Sequence, residues 1–182
     1  STELIVGRGT EQLQAHSLPI GCVSWRDRWF DDRVENEVQL RQQLKMAVDD
    51  AEQVFLQVSA QLSRTPWSEV YASSGTAKML SAICSAKRPS DSDIAVVDFS
   101  LLTTLESDII ETTLNPTRFL PGLKNSRKEL LLPGWAVLTG FMRAHHISNL
   151  KFSPAALREG MLHFMIKARE LNDSPLHVLR AS

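Results

Sequence analysis

Residues 1–23, STELIVGRGTEQLQAHSLPIGCV, contain two apolar runs with several β-branched residues, separated by a glycine-containing connection. The first run, Thr2–Gly7, and the second, Leu13–Val23, have the composition of β-strands. The connection between them, Arg8–Glu11, has the length of a hairpin loop. The sequence therefore predicts an antiparallel β-hairpin in this stretch.

Beyond the hairpin, helical and strand-like patterns alternate along the chain. After a linker at Trp25–Arg33, we expect helices at 36–62, 76–86, 98–113, 135–145 and 155–170. Short strands are expected through Val70 and Tyr71 and at Asn149–Phe152, a surface loop at 87–93 and a linker-like tail at 172–182. A hairpin followed by this alternation is typical of an α/β domain in which helices flank a mixed sheet.

Composition limits the classes of function. The chain has 182 residues, of which 43% are hydrophobic, and it carries 20 Lys+Arg against 21 Asp+Glu. This near-neutral balance gives no global field for nucleic acid or anionic lipid, so a polyanion needs a local site. Because there are two cysteines, Cys22 and Cys84, and no signal peptide or long apolar span, we expect a cytoplasmic protein with both thiols packed as small hydrophobes.

Four short strings carry a more specific signal. They are Ser1-Thr2-Glu3 before a strand, SLPIGCVSWRDRWF (17–30), Ser74-Gly75-Thr76 between a strand and a helix, and GLKNSRKELLLPGWAVL (122–138) followed by ALREGML (156–162). In this order and at these distances they resemble the exopolyphosphatase and guanosine pentaphosphate phosphohydrolase family. The resemblance spans nearly the whole chain. It implies a ribonuclease H-like lobe of the actin-like ATPase fold, with residues 1–182 as a single domain that forms the second lobe of a two-lobed core.

The resemblance gives Ser1, Thr2 and Glu3 a role. In the family, a strand ends in an Asp-hydrophobic-Gly-Gly-Gly-Ser-Thr-Glu loop, so the first lobe and the start of a phosphate loop are expected to be missing here. Ser1 and Thr2 would then bind phosphate, since backbone N–H groups and hydroxyls converge on phosphate oxygens in such loops. Glu3 would be a catalytic residue that holds Mg²⁺ or orients the attacking water.

Two further matches extend the implied phosphate site. Ser74, Gly75 and Thr76 match the family's second glycine-containing turn, where the N-terminus of a helix favours anions. A purely structural role, in which Ser74 or Thr76 caps the helix, explains these residues equally well. Arg127 matches the arginine of a Gly-Leu-x-x-x-Arg pattern, and its guanidinium can pair with two phosphate oxygens.

Several other polar and aromatic residues favour structural roles. We expect Lys124 and Lys128 to lie on a solvated face, Arg158 and Glu159 to brace the fold, and the His145-His146 pair to end a helix. Trp25, Trp29 and Phe30 are expected to pack in the core or at an interface, because no alternation of basic and aromatic residues accompanies them.

The function implied by the resemblance is hydrolysis of a terminal phosphoanhydride bond with Mg²⁺ as cofactor. The expected substrate is inorganic polyphosphate, and the alternative is guanosine pentaphosphate, the precursor of the stringent-response alarmone. The general base belongs to the first lobe, so this fragment alone should be inactive, and the intact protein is expected to be a homodimer. A hypothesis of another class is a non-catalytic docking or sensing module. A sugar or acyl kinase of the same fold would have an adenosine-binding Gly-Gly pair, which the sequence lacks.

Overall fold

A computed structural model describes residues 1–31, 34, 36–88, 94–172 and 174 of the chain. Within these residues two small sheets are accompanied by helices. The strands are β1 (Thr2–Arg8), β2 (Glu11–Leu18), β3 (Tyr71–Ala72), β4 (Val96–Asp98) and β5 (Asn149–Phe152). The helices are α1 (Cys22–Trp29), α2 (Glu37–Leu56), α3 (Ser59–Leu62), α4 (Gly75–Lys87), α5 (Phe99–Thr104), α6 (Glu106–Leu114), α7 (Leu131–Ala144) and α8 (Leu157–Glu170), with a 3-10 helix at Asn125–Leu130.

The predicted hairpin is present. Strands β1 and β2 pair antiparallel from Thr2 opposite Leu18 to Arg8 opposite Glu11. Gly9 has a φ of 60° in the tight turn between them, a conformation that glycine adopts without steric cost. Along β1 the more buried residues Thr2, Leu4 and Val6 alternate with exposed ones, so one face of the hairpin packs on the core.

The end of β2 corrects two predictions. The second strand stops at Leu18 rather than at Val23, and the predicted linker at Trp25–Arg33 is helix α1 over most of its length. Pro19 has no N–H to donate to a strand ladder, and Gly21 then serves as the N-cap of α1. Trp25 and Trp29 lie four residues apart on this helix, and Trp25 is only 2% exposed.

The second sheet is mixed, as predicted, with the strand order β3-β5-β4. Strand β3 runs parallel to β5, and β4 runs antiparallel to it. The sequence analysis missed β4, whose last residue, Asp98, is also the side-chain N-cap of α5. The hairpin does not pair with this sheet among the described residues.

Helix α7 is the centre of the hydrophobic core. It is buried on almost all sides and packs most extensively against α2, whose buried stripe runs from Leu40 to Phe55. A Cβ atom added at Gly140 would lie 2.6 Å from the Ala51 Cβ and 2.8 Å from the Glu52 backbone nitrogen. The absence of a side chain at Gly140 therefore allows the two helices to approach closely.

The remaining helix boundaries differ in detail from the predictions. The region 36–62 forms α2 and α3, 98–113 forms α5 and α6, and the last helix begins at Leu157 rather than at Ala155. Pro133 and Gly134 do not precede α7 but lie in its first turn, where proline is tolerated because the first N–H groups of a helix have no partner. Most of the predicted loop 87–93 and of the predicted tail 172–182 lies outside the described residues.

Two of the tryptophans hold helices together through their indole N–H groups. Trp25 Nε1 donates to the Ala47 carbonyl oxygen at 3.0 Å, and Trp135 Nε1 donates to the Leu102 carbonyl oxygen at 2.8 Å. Both side chains are buried, as the core prediction for Trp25 requires. No helix in the described part of the chain is both long and apolar enough to span a bilayer.

Candidate functional site

Three of the predicted phosphate-binding residues, Ser74, Gly75 and Thr76, lie at the N-terminus of α4. Ser74 is the N-cap, in an extended conformation with φ −175° and ψ 169°. Its Oγ accepts a hydrogen bond from the Ala77 N–H at 2.9 Å. The capping role anticipated for Ser74 is therefore present, and the hydroxyl hydrogen can still be donated to a ligand oxygen.

Gly75 and Arg127 are brought together from distant parts of the sequence. A Cβ atom added at Gly75 would lie 2.9 Å from both Nη1 and Nη2 of Arg127 and 3.0 Å from its Cζ. The guanidinium thus lies directly against the first residue of α4. Arg127 reaches this position from the 3-10 helix, where its N–H donates to the Lys124 carbonyl oxygen at 2.9 Å.

Arg127 forms no ion pair or side-chain hydrogen bond with any residue that the structure describes, and its side chain is exposed. The adjacent carboxylate, Glu129, lies instead 3.9 Å from Arg26. In the same described part, the backbone N–H groups of Gly75 and Thr76 have no acceptor, as expected for the first turn of a helix. The Arg127 guanidinium and these two backbone N–H groups therefore lie at the same end of α4, and no carboxylate in the described part of the chain pairs with the guanidinium. This arrangement can bind an oxyanion.

Thr76 and the two flanking lysines have different environments. The Thr76 methyl group would lie 2.8 Å from a Cβ atom on Gly134, so this side chain packs α4 against α7. Thr76 can offer its backbone N–H and its hydroxyl, which has no hydrogen-bond partner among the residues that the structure describes. Lys128 donates to the Pro116 carbonyl oxygen at 2.7 Å, a structural role, whereas Lys124 is exposed.

Ser1, Thr2 and Glu3 form a separate cluster at the start of the hairpin. Ser1 Oγ donates to Glu3 Oε1 at 2.7 Å, and Ser17 Oγ donates to the same oxygen at 3.4 Å. The Thr2 hydroxyl donates to the Ile20 carbonyl oxygen at 2.6 Å, which joins β1 to the segment before α1. Ser1 and Glu3 are thus the members of the cluster whose side chains are accessible to a ligand.

Helix α1 links this cluster to the 3-10 helix that carries Arg127. A Cβ atom on Gly21, at the start of α1, would lie 3.2 Å from the Ser1 nitrogen. Helix α1 also packs against the 3-10 helix, and its Arg26 lies 3.9 Å from Glu129. No hydrogen bond or ion pair within the described ranges joins Ser1 or Glu3 directly to Gly75 or Arg127. The role of Gly21 and α1 in positioning both clusters is the feature that the sequence analysis missed.

The metal prediction rests on Glu3. No group of three or more His, Cys, Asp or Glu side chains that could hold a metal ion occurs among the residues that the structure describes. The donors around Glu3 are a carboxylate and the hydroxyls of Ser1 and Ser17, all oxygens. Magnesium prefers such donors and is often held by one or two carboxylates together with water and substrate phosphates. The donor set is therefore chemically compatible with Mg²⁺ as a partial site.

Two residues expected to be structural have structural contacts. The Ala156 N–H donates to Glu159 Oε2 at 2.8 Å. This hydrogen bond is the main reason that the pKa of Glu159 lies below its ordinary value. His145 ends α7, with its Nδ1 at 3.3 Å from Ser59 Oγ. Burial lowers the pKa of His145, whose ring lies against those of Phe141 and Trp67.

Comparison with known proteins identifies the family. The family model of the Ppx/GppA phosphatases matches residues 1–169. The chain belongs to the Ppx/GppA phosphatase family. A Haemophilus influenzae protein that carries an inferred exopolyphosphatase name is 28% identical over 177 residues, which are 95% of this chain and 51% of that protein. A guanosine-5'-triphosphate,3'-diphosphate pyrophosphatase of Pseudoalteromonas atlantica is 26% identical over 98% of this chain and 34% of its own length.

Solved structures of Ppx/GppA proteins confirm the fold prediction. The crystal structure of the Aquifex aeolicus family member matches with a TM-score of 0.71 and 21% identity, and the match covers 94% of this chain and 54% of that one. At this identity the likeness shows the fold alone, and that fold is the mixed α/β, actin-like architecture predicted from the four strings. The match covers between about a third and a half of the length of these curated relatives.

Proposed function

We propose that this chain is the phosphate-binding lobe of a phosphoanhydride hydrolase that releases terminal phosphate from inorganic polyphosphate. One observation carries the proposal: the Arg127 guanidinium lies against Gly75 at the N-terminus of α4 and pairs with none of the residues that the structure describes. Membership of a phosphatase family supports it. A planar cation beside free backbone donors matches the oxygens of a terminal phosphoryl group.

In this proposal each group has a chemical task. Arg127 binds two phosphate oxygens, and the N–H groups of Gly75 and Thr76 bind a third where negative charge accumulates during in-line attack by water. Glu3, with the neighbouring hydroxyl of Ser1, would hold Mg²⁺. When bound, Mg²⁺ offsets charge on the leaving phosphate. A second carboxylate orients the water, and we assign it to the part of the protein outside this chain, so the chain alone has no turnover.

Guanosine pentaphosphate is the alternative substrate. Relatives with either name match this chain at similar identity. The donors at Arg127 and Gly75 recognise a terminal phosphate and make no distinction between a nucleotide and a polymer. Two strings, GCVSW and PGLKNSRKELLLPG, favour the polyphosphate branch in the family resemblance. A cytoplasmic homodimer remains part of the proposal for the intact protein.

Binding and turnover test the proposal separately. In the full-length protein, Arg127→Gln should lower kcat on polyphosphate by about 10²–10³, the usual cost of removing one charge-stabilising donor, while Arg127→Lys should restore only part of it. Lys124→Gln is the matched control, because it removes one exposed charge from the same 3-10 helix region without touching Gly75.

The competing outcomes are distinct. Turnover of guanosine pentaphosphate at a higher kcat/KM than polyphosphate would select the alternative substrate. If the full-length protein hydrolyses neither, and the chain binds neither tripolyphosphate nor pyrophosphate in calorimetry, the docking or sensing hypothesis replaces the enzymatic one.

A further inference from the structure

A tight turn lies in the loop that leads to Arg127. The Leu123 N–H donates to the Leu120 carbonyl oxygen at 3.1 Å, and Gly122 has a φ of 85°. With Pro121 at the second position and a positive φ at the third, this is the geometry of a type II turn. Leu120 and Leu123 are 3% and 9% exposed, so both ends of the turn are fixed in the core.

Gly122 lies directly against the backbone of α4. A Cβ atom added at Gly122 would lie 2.4 Å from the Ala82 carbonyl oxygen, 2.6 Å from the Ala82 carbonyl carbon and 2.7 Å from the Ile83 nitrogen. These backbone atoms belong to a helix and cannot rotate away as the end of a side chain can. Ordinary van der Waals contact begins at 3.4 Å, so any side chain here would push the turn off α4 by about 1 Å.

The same segment touches α4 at a second point. The Arg127 guanidinium lies against Gly75, seven residues before Ala82. Residues seven positions apart lie on one face of a helix, and they are separated by about 10.5 Å along its axis. The segment 122–127 therefore runs along one face of α4 and contacts it at two points that are two helical turns apart.

The 3-10 helix that carries Arg127 has no anchor of its own in the core. None of its residues is buried, and its Lys128 contact with the Pro116 carbonyl oxygen is exposed. It continues directly into α7, whose first residue, Leu131, is 1% exposed. The position of Arg127 along α4 is therefore set by the turn at Gly122 on one side and by the start of α7 on the other.

We propose that Gly122 is a positioning residue for Arg127. Its contact with Ala82 fixes how closely the segment approaches α4, and so places the guanidinium beside the backbone N–H groups of the first helical turn. The inference rests on the proposed function, because this placement matters for turnover only if Arg127 binds a substrate phosphate. A misplacement of about 1 Å can cost about 10² in rate for a group that acts on the reacting atoms.

Three substitutions in the full-length protein test the contact. Gly122→Ala should lower kcat on polyphosphate by about ten- to hundredfold. Pro121→Ala is the matched control: it changes an exposed residue of the same turn, keeps the contact of Gly122 with Ala82, and should leave kcat unchanged. Gly122→Asn separates the contact from the backbone conformation, because asparagine tolerates a positive φ but carries a Cβ atom. It should therefore be as slow as the alanine variant.

A double-mutant cycle separates positioning from a general loss of structure. If Gly122 acts through Arg127, Gly122→Ala should lower kcat by less than about twofold further when Arg127→Gln is already present. A general loss of structure would instead multiply the two effects. Gly140→Ala gives the comparison at reduced stability, since its new Cβ meets α2 and not this segment. Well below its Tm, this variant should keep the kcat of the unchanged protein.

A crystal structure of the Gly122→Ala variant measures the displacement directly. The distance from Arg127 Cζ to Gly75 should increase by about 1 Å or more. An unmoved guanidinium, full activity of Gly122→Asn, multiplied effects in the cycle, or an equal loss of kcat in Pro121→Ala would each overturn the proposal. A full-length protein that binds pyrophosphate but hydrolyses neither substrate, and binds it several-fold more weakly after Gly122→Ala, supports the positioning role and refutes only the hydrolysis.

Discussion

Replacing Gly140 by alanine should destabilise the protein, although alanine favours helices. Glycine in a helix interior costs about 1 kcal/mol relative to alanine, so the substitution alone would stabilise α7. The new Cβ, however, would lie 2.6 Å from the Ala51 Cβ, 2.8 Å from the Glu52 nitrogen and 3.0 Å from the Ala51 carbonyl carbon. These atoms belong to the backbone and Cβ of α2 and cannot rotate away.

The magnitude follows from the two opposing effects. Overpacking of a dense core costs about 1–3 kcal/mol, and contacts with rigid backbone atoms belong at the upper end of that range. After subtraction of the helix preference, the free energy of unfolding should fall by about 1–2 kcal/mol. For a domain of this size this corresponds to a drop in Tm of about 3–6 °C.

Urea unfolding followed by circular dichroism measures the effect, with an unchanged m-value expected. Gly160→Ala is the matched control: Gly160 also lies in a helix, α8, but an added Cβ meets no atom within 4 Å. The control should be stabilised by about 0.5–1 kcal/mol. If Gly140→Ala is neutral or stabilising, the close approach of α2 and α7 is not what requires glycine at this position.

Three further predictions concern the candidate site, a helix cap and pH. Gly75→Ala should weaken the binding of pyrophosphate, measured by calorimetry, about tenfold, because the new Cβ displaces the flexible Arg127 guanidinium. If the substitution also lowers Tm by more than a few degrees, the weaker binding results from a loss of structure. Asn36→Ala should lower the free energy of urea unfolding by about 1 kcal/mol, because Asn36 Oδ1 accepts from the Val38 N–H at 2.8 Å, and Asn36→Asp should retain most of the stability. Burial lowers the pKa of His145 in the folded protein, so the unfolded chain takes up this proton first as the pH falls. The free energy of unfolding should therefore decrease below about pH 6.5, and His145→Phe should make this decrease with pH less steep. An equally steep decrease in both proteins would contradict this account.

The sequence predicted those elements whose signals are local. The hairpin follows from two apolar runs and a glycine turn, and the N-terminus of α4 follows from Ser74 and Gly75. Helix α1 was missed because its short, charged sequence has little amphipathic pattern, and its one fully buried side chain, Trp25, is covered only through the packing of α1 on α2 and α7. The signals that could have revealed it are the N-cap Gly21 and the four-residue spacing of Trp25 and Trp29.

The site was predictable only in part. The resemblance named Gly75 and Arg127, but no local rule places a residue at position 127 against one at position 75. Their contact is a product of the packing of the 3-10 helix and α4 around α7. Likewise, no local pattern predicts that the Thr2 hydroxyl donates to the Ile20 carbonyl oxygen or that the Thr76 side chain packs against Gly134.

The first turn of α1 has a practical consequence for spectroscopy. Burial raises the pKa of the Cys84 thiol to about 11 and removes it from reagents, whereas Cys22, the first residue of α1, is partly accessible. A maleimide dye added at neutral pH should therefore attach at a single position, next to Gly21 and hence close to Ser1. The fluorescence of a dye attached at Cys22 should therefore change when a ligand binds near Ser1 and Glu3.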